Sequence, residues 1–149
     1  MASNSHWDHS SNGTDFRCTS EFEGDILVQE VRGTMNDDGA SVAIQQIEEA
    51  AEIHKGRLGL LVDAAQFEHI TPSARRTMTM FATGESSPIA AIAISGGNFF
   101  VRNVFNLFLR VSIIPAKIFS DRDSAKEWLS AQLAALSLGN GSSRRKGGS

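Results

Sequence analysis

The chain has 149 residues, of which 41% are hydrophobic and 21% charged, and its formal net charge is −3. This length fits one domain, and the hydrophobic content is sufficient for a core. The mild negative charge gives no electrostatic reason to expect a nucleic-acid partner. A single cysteine excludes an intrachain disulfide.

Neither a secretory signal nor a membrane span is expected. The first residues lack the basic start and apolar run of a signal peptide. The longest apolar-rich stretch, residues 98–114, is interrupted by four polar side chains: Arg102, Asn103, Asn106 and Arg110. Together with the lone cysteine, these features predict a cytoplasmic protein. We expect no metal site and no cofactor.

Both ends of the chain are predicted to be disordered tails. Residues 1–14 are rich in Ser, Asn and His, and residues 138–149 are rich in Gly and Ser. Such segments bury too little apolar surface to offset the entropy lost on ordering. We therefore predict one α/β domain over residues 15–137.

The first predicted elements form a β-hairpin. Residues 16–22 and 26–31 have strand patterns around a turn at Gly24, and a loop at 33–39 follows. Apolar positions at helical spacing then predict a helix over residues 41–54. Gly56 is suited to end that helix.

Strands and helices alternate in the rest of the chain. The apolar runs 58–62 and 89–94 are typical of strands covered on both faces. Thr71 and Pro72 are suited to begin a helix that runs to residue 83. Patterns further along predict a helix at 97–111, a strand at 116–119 and a last helix capped by Ser120. The order ββαβαβαβα predicts a mixed, mostly parallel sheet of about five strands with four helices.

Three segments of this pattern are similar to a known family. Residues 60–75 (LLVDAAQFEHITPSAR) combine a buried strand that ends in Asp, a short loop and a capped helix, and residues 89–109 and 115–129 continue the alternation. With the hairpin and first helix, the order resembles the STAS domain over residues 16–136. More narrowly, the chain resembles stand-alone bacterial anti-sigma-factor antagonist-like proteins. The resemblance implies a non-enzymatic regulatory module that binds a protein partner.

The resemblance also points to a candidate phosphosite. Anti-sigma-factor antagonists carry Asp-Ser-Ser-Gly after the third strand, and a partner kinase phosphorylates the second Ser. The corresponding stretch here is residues 71–74, where only Ser73 matches in chemistry. A phosphate in the first turn of a helix would meet free N–H groups. The alternative is an ordinary first-turn residue beside Thr71.

A candidate ligand crevice lies at the predicted carboxyl ends of the central strands. Asp63 ends one buried strand, and Ser95 and Asn98 flank two glycines after the next. Open α/β sheets bind ligands at this edge. The alternatives are that Asp63 caps a turn and that the glycines only permit a tight βα connection. An enzyme that uses His69 in the same loop would need an activated nucleophile, and none is evident.

The predicted helix at residues 97–111 carries more apolar surface than one sheet-packed helix needs. Three explanations remain open: a homodimer or protein interface, an apolar-ligand pocket, or a broad core contact. The second follows from the similarity of STAS domains to CRAL-TRIO lipid-transfer folds. The candidate interface residues are Phe100, Val104, Phe105 and Phe108. We take a homodimeric interaction module as the first hypothesis and a carrier of a small apolar or anionic ligand as the second.

Overall fold

The computed structural model describes residues 6–10 and 15–147, which form a six-stranded sheet flanked by four helices. The elements in chain order are β1 (His6–Ser10), β2 (Arg17–Glu23), β3 (Ile26–Met35), α1 (Asp37–His54), β4 (Leu58–Ile70), α2 (Pro72–Thr83), β5 (Ile89–Ser95), α3 (Phe99–Val111), β6 (Ala116–Phe119) and α4 (Arg122–Gly147). From β2 onward this is the order predicted from the sequence, so the α/β fold class is confirmed, with one additional strand.

The strands lie in sequence order across the sheet. The first three are antiparallel neighbours, whereas β3 to β6 are parallel. Helices α1, α2 and α3 make the crossovers between the parallel strands, as parallel pairing requires. The mixed, mostly parallel sheet is therefore confirmed.

Alternating side chains of the central strands build two separate cores. On one face, Leu60 and Ile92 belong to the larger core with Ile47 of α1. On the other face, Leu61 and Ala93 pack with Leu129 of α4. Because successive strand residues point to opposite faces, the continuous apolar runs of β4 and β5 serve both cores.

Polar side chains fix where the helices begin. The side chains of Asn36, Thr71 and Asn98 accept backbone N–H groups at the starts of α1, α2 and α3. For α4 the prediction was off by one residue, because Asp121, not Ser120, accepts the N–H of Ser124 at 2.8 Å. A carboxylate at this position also interacts favourably with the helix dipole.

β4 is much longer than the predicted strand at residues 58–62. It continues to Ile70 through the segment that the sequence suggests is a loop, and it pairs there with the extended end of β3. Register shifts between Glu30 and Arg32 and between Gly33 and Thr34 interrupt the pairing. Such bulges break the two-residue alternation by which a strand is identified in a sequence.

The amino-terminal segment contains a strand where the sequence predicts a disordered tail. β1 pairs antiparallel with β2, and the indole Nε1 of Trp7 donates to Glu49 Oε1 at 2.9 Å. Trp7 also packs edge-on against Phe22. Pairing with β2 and packing of the Trp7 ring stabilise this strand, although few of the residues around it are apolar. The rest of the predicted tail, residues 1–5 and 11–14, lies outside the described residues.

The carboxyl-terminal helix also passes the predicted end of the domain at residue 137, because α4 continues to Gly147. Extending an existing helix adds one hydrogen bond per residue without a new nucleus, so it needs little apolar surface. Residues 148–149 and the side chains of the basic cluster at 144–146 lie outside the described part of the chain.

Candidate functional site

A cleft between α2 and α3 is the most distinctive cavity of the described chain. α2 packs against α1, whereas α3 packs against β4 and β6, so the two helices have different supports. An inner cavity of about 80 Å³ lies between them and the sheet. An outer groove of about 300 Å³ adjoins this cavity, and both are lined by Arg75, Thr79, Val104 and Phe108.

The inner cavity is lined almost entirely by apolar side chains. The sheet and α1 contribute Ile47, Leu60, Val62, Ile70, Ile89, Ile92 and Ile94. α2 contributes Arg75, Met78, Thr79, Phe81 and Ala82. Cavities with such walls exclude water and accept apolar groups.

Three of the four candidate interface residues of α3 also line this cavity. Val104 is buried, and Phe105 and Phe108 are half-buried against the larger core. The surplus of apolar residues noted in the sequence therefore divides into an inner row and an outer row. The outer row includes Phe99 and Leu107, which are 81% and 53% exposed.

Phe100, the fourth candidate interface residue, lies beside the amino-terminal end of the cleft. Its ring stacks on the imidazole of His69, with 4.5 Å between the ring centroids. Nearby, Asn98 caps α3 by accepting the N–H of Val101 at 2.8 Å. The amide of Asn98 also donates to the carbonyl of Glu68 at 3.3 Å, which ties the start of α3 to the extended end of β4.

The candidate crevice residues do not converge on one cavity of the described structure. Asp63 and Ser95 are neighbours in the register of β4 and β5, and Ser95 is buried. Asn98 contacts β4 further along, at Phe67 and Glu68. The structure thus brings together two of the three residues and places Asn98 at the α3 end of the cleft.

Asp63 forms an ion pair with Arg122, a residue that no sequence pattern singles out. Arg122 Nη2 lies 2.5 Å from Asp63 Oδ2 and 2.6 Å from Glu30 Oε2. Burial lowers the pKa of Arg122, but hydrogen bonds to Asp63 and Glu30 outweigh this effect and raise it. Asp63 Oδ1 also accepts the N–H of Ala65 at 3.1 Å, so this carboxylate has an extensive structural role.

The candidate phosphosite is accessible. Ser73 is exposed in the first turn of α2, between Pro72 and the buried Ala74. Pro72, Arg75 and Arg76 line the outer groove beside it. Ser73 itself is not among the residues that line the groove.

The only cysteine lies on the other side of α1 in a buried polar cluster. Burial, with a smaller effect of Asp8, raises the pKa of Cys18 to about 12. The thiol lies 3.4 Å from Gln46 Oε1. A thiol this far from ionisation is not a nucleophile near neutral pH.

Within residues 6–10 and 15–147, no group of three or more His, Cys, Asp or Glu side chains is arranged to hold a metal ion. No helix in the same ranges is long and apolar enough to cross a membrane.

Comparison with known proteins shows the family. An uncharacterized protein from Shewanella loihica PV-4, described as having a SpoIIAA-like fold, aligns with a TM-score of 0.61 and 18% identity, over 81% of this chain and 98% of that one. At this identity the likeness shows the fold alone. No curated protein matches the chain. The SpoIIAA-like family model matches residues 26–130, which confirms the STAS-like resemblance of the sequence. Because that match covers more than half of the chain, the protein belongs to the SpoIIAA-like family.

Proposed function

We propose that this protein is a non-enzymatic binding module whose α2–α3 cleft holds a small apolar ligand. The observation that carries the proposal is the inner cavity, whose walls are apolar except at Arg75 and Thr79 and which adjoins an open groove. An apolar cavity that adjoins the surface gives an apolar molecule both a site and a route to it.

The energetics favour occupation of the cavity. The inner cavity opens toward the outer groove, so its apolar wall lacks packing partners on that side. A ligand that fills it recovers dispersion contacts and buries its own apolar surface. An apolar ligand therefore gains more contacts and buries more apolar surface in the cleft than it would on a flat surface.

Two observations support a binding role rather than catalysis. The Cys18 thiol is buried and its pKa is raised to about 12, which leaves little thiolate. His69, the candidate base, stacks on the ring of Phe100. Nucleophilic catalysis needs a nucleophile and a base within hydrogen-bond reach.

Fluorescence titration with the apolar dye N-phenyl-1-naphthylamine tests the proposal. Ala82→Leu adds three carbons inside the cavity and should weaken dye binding at least tenfold, because Ala82 is buried in the cavity wall. Ala131→Leu makes the same change at an exposed position of α4 and should leave binding unchanged. Equal dye affinity in the wild type and Ala82→Leu, with both folded by circular dichroism, would refute the proposal.

A homodimeric interaction module is the second candidate, and the exposed apolar residues of α2 and α3 along the outer groove favour it. Met80, Leu107 and Val111 are 67%, 53% and 59% exposed along the outer groove. Contiguous exposed apolar surface commonly marks a protein interface. Light scattering after size exclusion tests this candidate: Leu107→Glu should convert a dimer to a folded monomer. A monomeric wild type at 100 µM would exclude it.

In either role Ser73 is a candidate regulatory position. A phosphate there would add about two negative charges in the first turn of α2, three residues before Arg76, which lines the outer groove. Ser73→Asp should then change dye or partner affinity while Ser73→Ala leaves it unchanged. Identical affinities in both variants would remove the switch.

A further inference from the structure

The wall of the cleft contains one charged side chain at a distinctive point. Among the described residues that line the inner cavity, Arg75 is the only charged one, and it lines the outer groove as well. Arg75 therefore lies at the boundary between the inner cavity and the outer groove. It is half-buried.

The guanidinium of Arg75 has no protein partner within the described ranges. The backbone N–H of Arg75 bonds to the carbonyl of Thr71 at 2.9 Å, but no hydrogen bond or ion pair there engages its guanidinium. By contrast, Arg122 contacts two carboxylates and Arg17 contacts one. A guanidinium with five donors and no protein acceptor, at the edge of an apolar cavity, is a favourable site for an anion.

The charge of the surrounding helices points the same way. α2 and α3 contain four arginines and no aspartate or glutamate, although the whole chain has a net charge of −3. The four are Arg75, Arg76, Arg102 and Arg110. Two of them, Arg75 and Arg76 of α2, line the cleft, so its α2 wall is positive in an acidic protein, and a positively charged wall attracts anions.

We propose that the ligand of the cleft is an anionic amphiphile, with its apolar chain in the cleft and reaching into the inner cavity, and its carboxylate or phosphate head on Arg75. This inference rests on the proposed function and specifies the class of ligand. The fork of donors in arginine matches the oxygens of both head groups, and such charge-assisted hydrogen bonds are stronger than neutral ones. The apolar wall selects the chain, and Arg75 selects the charge.

Competition against N-phenyl-1-naphthylamine at pH 8 tests this with three ligands of equal chain length: dodecanoate, dodecyl phosphate and dodecanol. Both anions should bind about tenfold more tightly than dodecanol, the lower end of what a hydrogen bond to a charged group contributes. The affinity ratio of the two anions distinguishes a free fatty acid from a phosphate-bearing lipid as the source of the head group.

Variants assign the preference to one side chain. Arg75→Met should reduce the affinity of both anions to that of dodecanol and change dodecanol affinity by less than twofold. Arg110→Met removes the same charge from an α3 residue that lines neither part of the cleft, so the preference should persist. Arg75→Lys, which keeps the charge without the planar fork, should give an intermediate preference.

The outcomes separate the two claims. If dodecanol and dodecanoate bind the wild type equally, the cleft is an apolar site and the inference of an anionic head is wrong. If the preference survives in Arg75→Met, its assignment to Arg75 is wrong. If no ligand displaces the dye and the dye itself does not bind, the proposed function fails and the inference fails with it.

Discussion

Replacing Gln46 by methionine should destabilise the protein by about 2–4 kcal/mol, because this buried side chain connects α1 to the sheet. Gln46 is 6% exposed. Its Oε1 accepts from Ser20 Oγ at 2.5 Å, and its Nε2 donates to the carbonyl of Cys18 at 3.1 Å. Methionine nearly preserves the volume, so the cost comes from two lost hydrogen bonds: the buried Ser20 hydroxyl loses its acceptor, at about 1–3 kcal/mol, and the Cys18 carbonyl loses one donor, at about 0.5–1.5 kcal/mol.

Urea unfolding followed by circular dichroism measures this cost. The midpoint should fall with little change in the slope, because the surface exposed on unfolding stays the same. The neighbouring Gln45→Met is the matched control: Gln45 is exposed and, among the described residues, its amide bonds to Glu49 alone, so the change should stay within about 0.5 kcal/mol. A loss below 1 kcal/mol for Gln46→Met would show that the buried network is not important for stability.

Three further changes probe other parts of the chain. Gly33→Ala should lower the free energy of unfolding in urea by at least about 2 kcal/mol, because Gly33 has φ +75° and the new Cβ would overlap the backbone carbonyl of Asp15. Gly24→Ala is the control: Gly24 has φ +65° but open space around it, so the loss should be about 1 kcal/mol. Arg122→Met should lower the free energy of unfolding by about 1–2 kcal/mol, a modest value because the Arg122 side chain is 32% exposed. This loss should exceed that of Arg17→Met, because the Arg17–Asp8 pair is more exposed, and equal losses would contradict a special role for Arg122. The pKa of Cys18 is raised from 9.0 to about 12, so above pH 9 the thiol ionises in the unfolded chain but not in the folded one. Stability should therefore fall by about 1.4 kcal/mol between pH 8 and pH 10, and Cys18→Ala should remove that loss.

The parts of the fold that the sequence predicts are those specified by local signals. The apolar run of β5 and the Thr71-Pro72 start of α2 are each encoded within a few residues, and the structure places both as predicted. β1 has no such signal, because its stability comes from pairing with β2 and from the contact of Trp7 with Phe22. The extension of β4 was missed for a related reason, since bulges in its pairing with β3 break the alternation.

The candidate site shows the same limit. The sequence reveals that α3 carries too much apolar surface, but it cannot show that α2 and α3 rest on different supports and leave a cavity between them. Arg122 was missed because it lies 59 residues from Asp63 in the chain, and only the position of α4 brings them together. Arg75 is distinctive only once its neighbours are known, because an arginine on a predicted helix is ordinarily solvated.

The two faces of the sheet allow stability and binding to be tested separately. Arg122 and the α4 core lie on one face, whereas Ala82 and Arg75 lie at the cleft on the other. Changes at distant sites without shared partners are close to additive. Arg122→Met should therefore lower the urea midpoint and leave dye affinity unchanged. Arg75→Met should leave the urea midpoint unchanged and weaken the binding of dodecanoate. If Arg122→Met weakened dye binding as strongly as Ala82→Leu, the cleft would depend on the whole sheet, and loss of binding in any variant would report stability instead of contact with the ligand.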